Sequence, residues 1–96
     1  MAIIRLHENV TVIQVEPGDP VAVTRPCIMG GVAVHIIASE YSAVQIAEWL
    51  QSRLMRLNNP LAQQAFPNMK AEDREFLMSG ITPEHWNKMF PKEEQE

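Results

Sequence analysis

The stretch Tyr41 to Leu57, YSAVQIAEWLQSRLMRL, decides the fold, because its secondary structure follows from local chemistry alone. Ser42 and Gln45 stand at capping-box spacing: the hydroxyl can accept from the Gln45 amide while the Gln45 side chain accepts from the Ser42 amide. Tyr41 and Ile46 occupy the staple positions around that cap. Ala43, Ile46, Ala47, Leu50, Leu54 and Leu57 recur at three- and four-residue spacing, with Glu48, Gln51 and Ser52 away from the centre of the stripe. The stripe predicts a core-facing helix, and Asn58 followed by Pro60 predicts its end near Leu57 or Asn58. So apolar a face must bury against something, and the only large partner upstream is a set of strands.

Those strands occupy the first forty residues. Ala2 to Val15, AIIRLHENVTVIQV, is rich in Ile and Val, and reads either as two short strands joined at His7-Glu8-Asn9 or as one long strand with a bulge. Glu16 to Pro20, EPGDP, is turn chemistry: Pro17 presets the turn and Gly18 supplies positive φ. Val21 to Ala38 reads as a hairpin closed by a two-residue turn at Gly30-Gly31. That turn sets Met29 opposite Val32, Cys27 opposite Val34, Arg25 opposite Ile36 and Val23 opposite Ala38. The face expected under the helix is then Val23, Cys27, Met29, Val32, Val34 and Ile36, with Thr24, Pro26, His35 and Ile37 on the other side. Pro26 cannot donate to a ladder, so its strand is expected at an edge or kinked there.

Beyond the helix, residues 58–68 carry two prolines and predict an irregular connection with one helical turn around Leu61 to Ala65. A short helix then starts at Asn68 or Met69, with Glu72 and Asp73 in its first turn, and Gly80 ends it. Thr82 as N-cap and Pro83 at the first helical position open a second helix, which Pro91 stops. The expected architecture is α+β. A three- to four-stranded antiparallel sheet is packed by one long helix and completed by a C-terminal pair of short helices, all in one domain over residues 1–91 with an acidic tail at 92–96.

Composition narrows the function classes. The chain has 96 residues and is 46% hydrophobic, which argues against disorder. No run reaches the roughly 18–20 apolar residues of a membrane span, and MAIIRLHEN lacks the basic-then-apolar layout of a signal peptide, so a cytoplasmic location is expected. A lone cysteine, Cys27, fits a reducing compartment. The net charge of −4 is concentrated after Leu57, which disfavours phosphate backbones and anionic membranes.

Few constellations suggest chemistry. Gly30-Gly31 near Arg25 could form a backbone nest for a phosphate, against the plainer reading of a turn chosen for its φ values. The Gly80 region has the outline of a helix-turn-helix, but its second helix offers Lys88 as the only cation; the alternative is a helical hairpin packing Phe76, Leu77, Ile81, Trp86, Met89 and Phe90 onto the domain. Cys27 and His35 fall on opposite faces of the expected hairpin, so they make no nucleophile and base pair. The three histidines have no tight metal-ligand spacing, and neither a metal nor a cofactor is expected. Large Met and aromatic groups are numerous for so short a chain, and Trp49, Met55, Phe66, Trp86, Met89 and Phe90 are the candidates for an interface between copies or with a partner.

Asp73 to Trp86, DREFLMSGITPEHW, together with Phe66-Pro67, resembles a segment of small uncharacterised proteins encoded by bacteriophages and prophages. The resemblance covers the last third of the chain. It implies two short helices around Gly80 and a viral accessory protein working in the host bacterial cytoplasm, and it brings no activity, cofactor or catalytic residue with it. The expected function is therefore a non-enzymatic binding protein that self-associates and engages a host protein or a small ligand. A DNA-binding regulator using the Gly80 turn is one alternative. The other is a small enzyme or nucleotide-sequestering protein with its site at Arg25, Gly30 and Gly31.

Overall fold

The computed structural model describes residues 1–6, 9–54 and 61–89, without the side chains at 54 and 89. Four strands, β1 (Ala2–Leu6), β2 (Val10–Gln14), β3 (Val21–Pro26) and β4 (Val32–Ile37), form one antiparallel sheet in the order β1-β2-β3-β4. Four helices follow: α1 (Ala43–Leu54), α2 (Ala62–Ala65), α3 (Ala71–Ser79) and α4 (Pro83–Met89). The α+β class and the four-stranded antiparallel sheet stand as expected from the sequence. No helix among the described residues is long and apolar enough to cross a membrane.

Local chemistry starts and stops these elements. At the head of α1 the Ser42 amide donates to Gln45 Oε1 at 2.8 Å and the Gln45 amide donates to Ser42 Oγ at 3.2 Å, the reciprocal capping box. A third group joins them from far away: buried Gln14 accepts from the Ala43 amide and donates to the Asp19 carbonyl, tying the start of α1 to the β2–β3 turn. In that turn the Asp19 amide donates to the Glu16 carbonyl around Gly18 at φ 91°. Leu6 pairs with Val10, so the first fifteen residues form two strands rather than one bulged strand. The expected stop of α1 near Leu57 or Asn58 and the acidic tail lie outside the described residues.

The core lies on one side of the sheet. Val10, Val12, Val21, Val23 and Ile37 point into it from the strands, and Ala43, Ile46, Ala47 and Leu50 meet them from α1, which packs over β1 and β2. Over β3 and β4 the cover is α3, through Phe76 and Leu77. Tyr41, Phe66 and Trp49 join α1 to the α2 region: Phe66 meets Tyr41 edge-on at 5.0 Å and Trp49 at 5.9 Å between ring centroids.

The β3–β4 register departs from the sequence reading. Val23 opposes His35, not Ala38, and Pro26 opposes Val32, so the ladder closes on a five-residue loop, Cys27 to Gly31, instead of a two-residue turn. The Cys27 amide donates to the Gly31 carbonyl and the Gly30 amide to the Cys27 carbonyl, closing the longer loop with its own hydrogen bonds. A slip of three residues is odd, and side chains alternate with period two, so β4 turns over. His35 and Ile37 face the core, while Val32, Val34 and Ile36 face solvent. Cys27 and Met29, expected under the helix, sit in the loop. Pro26 does not mark an edge, since β3 is an interior strand. Its missing amide does no harm because Pro26 stands beyond Thr24, the last residue of β3 to pair with β2.

Candidate functional site

With the core and both packing helices on one side, the other side of the sheet presents exposed side chains among the described residues. The registers align Ile3, Ile13, Ala22 and Ile36 in a row across all four strands, with Arg5, Thr11, Thr24 and Val34 in the next row and Pro26 beside Val32 beyond. Seven of these ten positions are apolar and only Arg5 is charged, whereas a solvated antiparallel face ordinarily alternates to polar residues. Exposure is high at the two edge strands: Ile3 50%, Val32 55%, Val34 58% and Ile36 62%. Ile28 and Met29, in the β3–β4 loop, are exposed as well. The sum is a largely aliphatic surface that can bury apolar area, with Arg5, Thr11 and Thr24 as its polar side chains.

The polar groups drawn inward serve a different purpose. His35 Nε2 lies 2.7 Å from Asp73 Oδ1, with Asp73 buried in the first turn of α3 and the imidazole tilted against Phe76 at 5.2 Å. A small cleft beside His35 is bordered by Val34, Thr82, Pro83 and Glu84. Thr82 Oγ1 already accepts the His85 amide as the N-cap of α4, as its position in the sequence predicts. The pair fastens β4 to α3.

Arg25 is a second fastener. Its Nη1 donates to the Leu77 carbonyl at 2.7 Å and its Nε to the Pro26 carbonyl at 2.8 Å, placing a cation on the last turn of α3 where the helix dipole favours it. With the Gly80 amide on the Phe76 carbonyl and the Ile28 amide on the Ser79 carbonyl, three of the four terminal carbonyls of α3 are satisfied. Burial, and to a lesser degree the positive charge of Arg53, lower the Arg25 pKa from its ordinary value, with Cys27 opposing them. The guanidinium is thus committed to α3. Gly30 and Gly31, at φ 107° and 74°, stand in open space at the loop tip and serve the turn.

Gly80 completes this junction. It ends α3 at φ 81°, and a Cβ there would run into the Pro26 carbonyl oxygen and stand 2.8 Å from Cys27 Cα. An open groove of about 620 Å³ lies between α3 and α4, lined by Lys70, Glu72, Glu75, Ile81, Pro83 and Trp86 among others. Among the described residues no three His, Cys, Asp or Glu side chains gather as a metal cluster.

The interface residues expected from the sequence are distributed differently from the open face. Trp49 and Phe66 are core residues, because the aromatic contacts around Phe66 bury both. Trp86 is 41% exposed on α4 rather than packed as core. Met55, Phe90 and the side chain of Met89 lie outside the described residues. Sequence reasoning missed Ile3, Ile13, Val32, Val34 and Ile36 as a surface. The signal was present, since these strands are apolar at both alternating phases while the chain supplies helices for a single covering layer. Compared with protein-family models, with curated proteins and with solved structures, the chain matches none of them.

Proposed function

We propose that this chain is a non-enzymatic interaction protein whose working surface is the solvent-facing side of its four-stranded sheet. One observation carries the reading: seven apolar residues against one charge over the ten positions of that face, with Val32, Val34, Ile36 and Ile3 each at least half exposed. Contiguous apolar surface of this kind is uncommon on proteins that act alone and marks interaction sites. The inward polar groups, His35, Asp73, Arg25 and Gln14, support the same reading because each is occupied in joining elements of the fold. Service to a bacteriophage inside a bacterial cytoplasm is part of the proposal and rests on the resemblance of Asp73 to Trp86 alone.

The test is a fluorescent apolar dye titrated onto the folded protein at nanomolar concentration, where any partner has dissociated. The native chain should bind the dye, and Val34→Lys combined with Ile36→Lys should abolish the signal while the far-ultraviolet circular dichroism stays unchanged. A native chain that leaves the dye dark at that dilution would remove the sheet face as a working surface.

A further inference from the structure

We infer that the occupant of the outer sheet face is a second copy of this chain, the two sheets stacking face to face across a two-fold axis. This rests on the reading of that face as the working surface. Selective recognition of a different protein is generally written in charges and polar groups that must find complements. Here the face carries aliphatic groups, two threonines and Arg5, so what it complements best is another aliphatic face, and a two-fold axis supplies one. Arg5 lies on β1, an edge strand, where in a stacked pair its guanidinium reaches solvent at the rim.

Dimensions agree. Four strands about 4.8 Å apart, with five residues rising about 3.4 Å each, give a face on the order of 300 Å² in projection, and the relief of the side chains adds accessible area to it. Side chains at least half exposed at Ile3, Val32, Val34 and Ile36 supply that relief and carry the accessible area toward the roughly 800 Å² per partner of a standard interface. Stacked sheets pack about 10 Å apart through interdigitated side chains, for which Ile and Val on alternate positions are well shaped. The described fold has one core on one side of one sheet, and stacking gives a chain of 96 residues a second core shared between copies.

Sedimentation equilibrium from nanomolar to high micromolar concentration, run in parallel with the apolar dye, tests this. The mass should double with concentration while dye bound per chain falls. Val34→Lys with Ile36→Lys should weaken association about a hundredfold or more, because lysine ammonium groups would be buried without partners. Ile3→Lys at the other edge should weaken it as well, and Val44→Lys, on the exposed side of α1, should leave it unchanged. A monomer at every concentration that still binds dye when dilute would overturn the second copy and keep the interaction surface for a different partner. A dimer indifferent to the lysines on the sheet would also overturn the inference, by placing the contact elsewhere.

Discussion

His35 Nε2 and Asp73 Oδ1, 38 residues apart in sequence and 2.7 Å apart in space, join the edge strand β4 to the first turn of α3. The contact exists only because β4 presents His35 to the core. Truncating either partner leaves the other with an unmet hydrogen-bonding group, so His35→Ala and Asp73→Ala should each lower stability by about 1–3 kcal/mol. The double variant should lose less than the sum, with a coupling of about 1 kcal/mol in a urea-denaturation cycle. Additivity within about 0.3 kcal/mol would mean that the bond contributes nothing to the fold.

Two aliphatic positions on different faces of α1 stand in sharp contrast. Leu50 is buried against the strands whereas Val44 is 52% exposed. Leu50→Ala should cost roughly 2–5 kcal/mol and Val44→Ala no more than about 0.5 kcal/mol. Equal costs in chemical denaturation would place the stripe somewhere other than the core.

Two glycines share a left-handed backbone but not their surroundings. A methyl group at residue 80 meets the backbone of Pro26 and Cys27, while one at residue 31 meets nothing within 4 Å. Gly31→Ala should therefore lose only conformational strain, about 1–2 kcal/mol. Gly80→Ala adds overpacking against backbone and should lose roughly 2–5 kcal/mol. Thermal melts of the two variants side by side decide it, and similar melting temperatures would mean that the junction of α3 with the β3–β4 loop yields freely.

Arg25 distinguishes a structural clip from a phosphate site. Its two carbonyl partners, Pro26 and Leu77, call for a planar fork of donors. Arg25→Ala should destabilise the protein by roughly 1–3 kcal/mol, and Arg25→Lys should recover less than half of that. Nucleotides and inorganic phosphate should leave the melting temperature where it is. A rise in melting temperature with ATP, lost in Arg25→Lys, would instead favour the nucleotide-sequestering alternative.

Much of the fold was legible because its signals are short-range. The reciprocal bonds of Ser42 and Gln45, the Thr82 cap, the left-handed stop at Gly80 and the turn around Gly18 each involve residues within four positions of one another. Backbone sterics and side-chain acceptors at such distances act the same way whatever the rest of the chain does, and the sequence by itself therefore determined where α1 and α4 start and where α3 stops; α3 begins at Ala71, later than the expected Asn68 or Met69, and its N-cap Lys70 makes no side-chain capping bond. Residues 32–37, VAVHII, are different in kind: read at either phase they present an apolar face, so alternation alone cannot say which side is in. Only the tertiary structure decided that. The reach of Arg25 to Leu77, the Ile28 amide on Ser79 and His35 on Asp73 all require α3 to dock on the sheet, and they join residues from 38 to 52 positions apart in sequence. Those contacts exist only once the chain has folded back on itself, and by turning His35 and Ile37 inward they left Val32, Val34 and Ile36 facing water, which is how the candidate interaction surface came to lie where no local signal places it.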